Sequence, residues 1–143
     1  PIVNIHLRFD KDISHIFKSG FIGLLGTTSQ WVFKVTKDQV CVVISAAGKI
    51  AEMTKEQIIN LAESELKMCI PELKEHKVTT ARVIKEMRAT FMPDKVSLNN
   101  RPAAKTAISN MFLAGDWTDT GLPATIEGAV KSARICVNQI EKN

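Results

Sequence analysis

The chain has 143 residues, 45% of them hydrophobic and 24% charged, with a formal net charge of +4. This length allows a domain with a hydrophobic core, and the composition is that of a soluble globular protein. No apolar run is long enough to span a bilayer, and the basic residues are scattered rather than concentrated on one stripe, which argues against nucleic-acid binding.

The cysteines and histidines indicate neither disulfides nor a metal site. Cys41, Cys69 and Cys136 each lie among apolar neighbours, without a Cys-x-x-Cys pair and without a recognised spacing to a histidine. We therefore predict reduced cysteines in the core of a cytoplasmic protein. The mild positive charge favours weak contact with anionic lipid, so we also expect a location peripheral to the inner membrane.

Residues 1–47 have the alternation of a sheet. In the first ten residues, PIVNIHLRFD, every second side chain from Val3 is apolar. A strand would place these on one face: Val3, Ile5, Leu7 and Phe9. WVFKV alternates again from Trp31, while QVCVVISAA is almost entirely apolar and predicts a strand buried on both faces. We expect three or four strands here, arranged as an antiparallel sheet.

A helix, a further strand and an irregular segment follow. Thr54 and Gln57 form a T-x-x-Q capping box that begins a helix over 54–70, which Pro71 ends. Its apolar stripe consists of Ile58, Leu61, Ala62, Leu66 and Cys69. KVTTARVIKEMRATF is rich in β-branched residues and predicts a strand, whereas 92–109 lacks periodicity and predicts a linker.

The last segment, NMFLAGDWTDTGLPATIEGAVKSARICVNQI, predicts a strand, a turn and a helix. MFLA is a short apolar strand that Gly115 ends, and Pro123 marks the start of the helix. The apolar stripe of that helix consists of Ile126, Ala129, Val130, Ala133, Val137 and Ile140.

This turn has the residues of a ligand site. Gly115 allows a ligand to approach the backbone, and Asp116 offers two acceptor oxygens to hydroxyl groups. The free N–H groups near Ala124, Thr125 and Ile126 favour an electron-rich group at the start of the helix. A purely structural role stays open from the spacing alone, because Gly-Asp turns and threonine caps are common.

Residues 110–134 resemble the C-terminal segment of FAD-dependent desaturases and amine oxidases with a two-dinucleotide-binding-domain fold. The resemblance is greatest to the squalene-associated branch, the hydroxysqualene dehydroxylases, and next to plant-type phytoene desaturases. The stretch KEMRATF, the pair Arg101-Pro102 and the run Trp31 to Phe33 resemble the same branch.

The resemblance implies an α/β fold in two parts. Residues 1–91 would be part of a substrate-binding domain, with an antiparallel sheet and the helix 54–70. Residues 92–109 would be a linker, and 110–143 the last strand and C-terminal helix of an FAD-binding, Rossmann-like domain.

The resemblance also implies roles for individual residues. Asp116, after Gly115, would hydrogen-bond the ribityl chain of FAD. The backbone N–H groups of Thr125 and Ile126 would approach the N1/O2 edge of the flavin. The turn from Trp117 to Pro123, together with Ala124, would line the flavin and a tunnel for an isoprenoid substrate.

Several reactions are compatible with this resemblance. A dehydroxylase would deliver hydride from reduced FAD to an allylic carbon as hydroxide leaves, giving squalene, whereas a desaturase would abstract hydride with oxidised FAD. A flavin amine oxidase is less favoured, since its aromatic cage is usually built with tyrosines and the chain has no tyrosine. The catalytic residues are unknown: His6, Glu86 and Arg88 are also typical of a solvated sheet surface.

The chain lacks the G-x-G-x-x-G turn that would hold the ADP part of FAD, and its first strand pattern begins at Ile2. We therefore expect a piece of a longer protein, inactive alone, with an incomplete FAD site. A non-catalytic fragment or binding module is the alternative. In either case the uncovered apolar surface favours self-association.

Overall fold

The computed structural model describes residues 1–142. The chain divides into two compact units, Pro1–Ala89 and Thr90–Asn143. We refer to them as the sheet unit and the loop–helix unit, and each is described by itself.

The sheet unit is built on one antiparallel sheet of five strands in the order β2-β3-β4-β1-β5. The strands are β1 (Ile2–Phe9), β2 (Phe21–Gly23), β3 (Trp31–Lys34), β4 (Gln39–Ile44) and β5 (Val78–Glu86). The expected antiparallel sheet is confirmed, with β5 added next to β1.

Alternation along the strands determines which side chains reach the core. In β1 the side chains of Val3, Ile5 and Leu7 are fully buried, as predicted. The prediction for β4 is wrong, since Val40, Val42 and Ile44 are buried but the intervening residues are only half-buried. A helix covers one face of the sheet, and this leaves the other face accessible, so only one side of β4 is fully buried.

The helices of this unit are α1 (Gly48–Glu52) and α2 (Lys55–Cys69), and a 3-10 helix, Pro71–Glu75, follows them. The capping box at Thr54 and Gln57 is present, with both reciprocal hydrogen bonds. Ile58, Ala62 and Leu66 of α2 join the core that the sheet forms.

The cysteines do not lie in the core, contrary to the prediction. Cys69 is exposed, and Cys41 and Cys136 are half-buried. Cys69, the last residue of α2, is not among the buried residues of that helix, and Cys41 lies on the more open face of β4.

The loop–helix unit contains α3 (Lys95–Asn99), inside the predicted linker, and α4 (Ile126–Glu141). The strand predicted for residues 111–114 is wrong, because Phe112 forms only an isolated bridge with Lys105. Next to this bridge, the Leu113 N–H donates a hydrogen bond to Ala104 O at 2.8 Å, which closes a short hairpin. Within residues 1–142, no helix is both long and apolar enough to cross a membrane.

Candidate flavin-binding turn

The site is the turn that joins the hairpin to α4, and Gly115 fixes its first bend. Gly115 has φ of 153°, and a Cβ there would overlap the indole of Trp117, so a side chain is excluded at this position. The Gly115 N–H donates to Ser132 Oγ of α4 at 2.8 Å, and its carbonyl accepts from Thr118 Oγ1 at 2.8 Å. The turn is therefore attached to the helix that follows it.

Helix α4 begins three residues later than predicted, at Ile126 rather than Pro123. Thr125 is the N-cap, and its Oγ1 accepts from the N–H of Gly128 at 3.2 Å. Gly128 packs against the carbonyl of Pro123, where a Cβ would lie 2.5 Å from the oxygen. Thr125 has the extended backbone of an N-cap, so the helix begins after it and Pro123 belongs to the turn.

The first N–H groups of α4 are free donors. Among residues 1–142, no acceptor is found for the N–H of Ile126 or of Glu127, and Ile126 is 87% exposed. A 16-residue helix carries partial positive charge at this end. The N–H groups of Ala124 and Thr125 likewise have no acceptor among residues 1–142, so the three predicted donors are free and Glu127 adds a fourth.

Asp116 is half-buried, and its carboxylate makes no hydrogen bond or ion pair with any other residue of 1–142. Its backbone carbonyl is engaged instead, as an acceptor for Arg101 Nη2 at 2.7 Å. The carboxylate thus keeps all of its acceptor positions for a ligand.

Arg101 is the residue of this site that sequence reasoning missed as a functional group. Besides Asp116 O, its guanidinium donates to Leu122 O at 2.6 Å and, at 3.4 Å, to Trp117 O. The guanidinium also lies over the ring of Phe91, 5.8 Å from its centroid. The sequence signals were its place in an otherwise irregular segment and the resemblance of the pair Arg101-Pro102 to the squalene-associated branch, and neither predicted these contacts.

A cleft of about 520 Å³ lies beside the turn. Its lining is mostly apolar and comprises Thr90, Phe91, Pro93, Leu98, Arg101, Asp119, Gly121, Leu122, Pro123 and Ala124. This size and polarity suit part of a cofactor or an apolar ligand. Pro123 and Ala124, predicted to contact the cofactor, lie on its surface, whereas Gly115, Asp116, Trp117, Thr125 and Ile126 lie outside its lining.

The candidate catalytic side chains belong to the sheet unit and do not form a constellation. Glu86 and Arg88 are exposed, and among the described residues the Glu86 carboxylate accepts from the Arg88 N–H alone. His6 lies 3.9 Å from the sulfur of Cys41. Burial raises the pKa of the Cys41 thiol, which disfavours the reactive thiolate. Within residues 1–142, three metal-ligating side chains nowhere come together.

With the geometry of the turn described, comparison with known proteins shows that the chain belongs to a family of flavin enzymes. It is a member of the Flavin containing amine oxidoreductase family, which it matches over residues 1–141. The family implies a flavin cofactor, and the resemblance of the last segment to flavin-dependent oxidoreductases is confirmed.

Particular relatives are similar over nearly the whole chain. The hydroxysqualene dehydroxylase of Zymomonas mobilis is 35% identical over 141 residues, covering 93% of this chain and 31% of the relative. That of Sinorhizobium fredii is 32% identical, covering 92% and 30%. The 15-cis-phytoene desaturase of Arabidopsis thaliana is 23% identical, covering 98% and 27%. The chain thus spans about a third of the length of these relatives.

Proposed function

We propose that this chain is part of an FAD-dependent oxidoreductase that acts on a long isoprenoid. The observation that carries the proposal is the turn in which the free carboxylate of Asp116 and the free N–H groups at the start of α4 occur within eleven residues of one another. Relatives named for hydroxysqualene and phytoene support the substrate class.

The residues of the turn suit two different parts of FAD. The carboxylate of Asp116 suits the ribityl hydroxyls, as an acceptor of charge-assisted hydrogen bonds. The N–H groups at Thr125 and Ile126 suit the N1/O2 edge of the ring, where negative charge gathers on reduction. Gly115, Trp117, Pro123 and Ala124 would shape the surface around the ring. Bound FAD would supply the hydride chemistry, and the chain's own residues would orient it and exclude water.

Removal of a hydroxyl is favoured over desaturation. The dehydroxylases are 32–36% identical to this chain, against 22–23% for the phytoene desaturases. In the favoured direction hydride is delivered to an allylic carbon and hydroxide leaves, so that squalene forms. Phytoene-type desaturation is the second candidate, with the same cofactor site and the opposite flow of electrons.

The wider assignments follow from the same proposal. The sheet unit would be part of the substrate domain, and α4 would be the last helix of a Rossmann-like FAD domain. The site in this chain would be incomplete, because the sequence has no G-x-G-x-x-G turn for the pyrophosphate. A basic protein acting on a membrane-soluble substrate would lie at a membrane surface from the cytoplasmic side.

The proposal is tested by replacing Asp116 with asparagine in the complete protein that the gene encodes. Loss of one charge-assisted hydrogen bond is worth about 1.5–3 kcal/mol, so flavin should bind roughly ten- to a hundredfold more weakly. Flavin content is measured by absorbance after gel filtration. Asp12→Asn, at an exposed aspartate of the sheet unit, is the matched control.

Two results would contradict the proposal. If Asp116→Asn retains as much flavin as the wild type, Asp116 does not hold the cofactor. If the wild-type protein neither contains nor takes up flavin, the chain serves another purpose, such as a binding module. The direction of the reaction is settled separately, by incubating reduced protein with hydroxysqualene and oxidised protein with phytoene.

A further inference from the structure

Arg101 holds both ends of the turn. Its two terminal nitrogens donate to Asp116 O at 2.7 Å and to Leu122 O at 2.6 Å, six residues apart in the chain. Asp116 carries the free carboxylate, and Leu122 precedes Pro123, whose carbonyl packs against α4. The guanidinium therefore fixes where the carboxylate lies relative to the start of the helix.

Lysine could not replace arginine at this position. The planar fork of a guanidinium presents donors in fixed, diverging directions, whereas lysine ends in a single nitrogen. The ring of Phe91, 5.8 Å below the guanidinium, also suits a flat cation. Because the acceptors are neutral backbone carbonyls, the directions of the guanidinium donors matter as well as its positive charge.

The contact with Asp116 O also orients a donor. The carbonyl of Asp116 and the N–H of Trp117 belong to one trans peptide, and they point in opposite directions. Because Arg101 holds the carbonyl, the Trp117 N–H points away from the guanidinium, and no acceptor for it is found within residues 1–142. Arg101 thus presents a backbone donor beside the free carboxylate.

We propose that Arg101 is a positioning residue for the flavin. It acts through the backbone of the turn to set how tightly the cofactor is held and how strongly its reduced form is stabilised. This inference rests on the proposed function, since it takes the turn to be the flavin site.

The test compares Arg101→Lys and Arg101→Gln with wild type in the flavin-loaded complete protein. Both variants should weaken flavin binding by about tenfold or more. Both should lower the midpoint potential, because the positive end of α4 no longer lies where charge develops on reduction. A tenfold preferential loss for the reduced form corresponds to about 30 mV for a two-electron couple.

Two controls keep the result interpretable. Arg134→Lys changes an exposed arginine of α4 in the same way and should leave the flavin affinity and the midpoint potential unchanged. Phe91→Leu removes the ring beneath the guanidinium but keeps its three hydrogen bonds, and it should shift the potential in the same direction by less. This variant serves as the test if the Arg101 variants do not accumulate.

The outcomes separate this inference from the proposed function. If Arg101→Lys matches the wild type, charge alone suffices and the positioning role is wrong. If the variants only melt at lower temperature, with unchanged potential and flavin spectrum, Arg101 is merely structural. If the wild-type protein binds no flavin, the proposed function fails and this inference fails with it.

Discussion

The sheet unit and the loop–helix unit are stabilised by different interactions. Of the buried apolar side chains in residues 1–142, all but that of Ala104 lie in the sheet unit. Of the buried polar ones, Thr118, Thr120 and Ser132 lie in the loop–helix unit. The first unit has a continuous apolar core, whereas the second is fixed mainly by side chains that hydrogen-bond to backbone.

This difference bears on function. Apolar packing tolerates exchange of one side chain for another of similar volume, because it is not directional. Hydrogen bonds specify direction, and in the loop–helix unit they define the turn between Gly115 and Thr125. A ligand site requires that kind of definition, since its donors and acceptors must be aimed.

The largest effect should come from the core of the sheet unit. Leu7 lies in β1, between β4 and β5 in the sheet, and is fully buried, so Leu7→Ala removes packed atoms and leaves a cavity. We expect a loss of about 2–5 kcal/mol in the free energy of unfolding, measured by urea denaturation. Met68→Ala, on the exposed face of α2, should cost under about 0.5 kcal/mol. A loss below about 1 kcal/mol at Leu7 would mean that the core is loosely packed.

An effect of intermediate size should come from a polar contact, which tests whether the stability of the sheet unit depends on apolar packing alone. The carboxylate of Glu65 on α2 accepts from the N–H groups of Thr28 and Ser29, both at 2.8 Å. Burial by itself would raise the pKa of Glu65, but the hydrogen bonds from Ser29 and Thr28 outweigh it, and the pKa is lowered from its ordinary value of 4.5.

Glu65 therefore contributes stability above pH 4.5, which is lost as the pH falls through the lowered pKa of the folded state. Glu65→Gln keeps one acceptor oxygen and should cost about 1–2 kcal/mol at pH 7. The difference from wild type should shrink as the pH falls below 4.5 and through the lowered pKa. Glu63→Gln, which removes a half-buried i,i+4 ion pair with Lys67 on the same helix, is the control and should cost under about 0.5 kcal/mol. A pH-independent difference would show that the carboxylate charge is not what binds the two amides.

Local patterns predicted the sheet unit well. The alternation of β1 and the capping box of α2 were confirmed, because each depends on residues two to four positions apart. Trp31 and Phe33 do share one face, as predicted, but Val32 is the buried residue and the two rings lie outside, in contact with Phe21. Alternation predicts which residues of a strand share a face, but it does not predict which of the two faces is buried.

Long-range contacts explain what the sequence did not predict. The run MFLA reads as a strand, yet a strand forms only where another strand pairs with it, and here the pairing is a single bridge. The start of α4 depends on the contact between Gly128 and the Pro123 carbonyl. The role of Arg101 arises from contacts 15 to 21 residues away, which no periodicity reveals.

The smallest effect should come from the apolar stripe of α4, where the comparison between the units is most easily tested. Four residues of the predicted stripe, Ile126, Val130, Val137 and Ile140, are more than half exposed. Replacing Val130 by glutamine, a good helix former, should then change the free energy of unfolding by less than about 0.5 kcal/mol. The same change at Val42, fully buried in β4, should cost about 3 kcal/mol or more, because an amide loses water without gaining a partner.

If Val130→Gln instead costs over about 1.5 kcal/mol, the stripe is covered in solution. Sedimentation would identify a second copy as the cover if the wild type is a dimer and the variant a monomer. The expectation of self-association would then hold, and the loop–helix unit would have an apolar interface of its own.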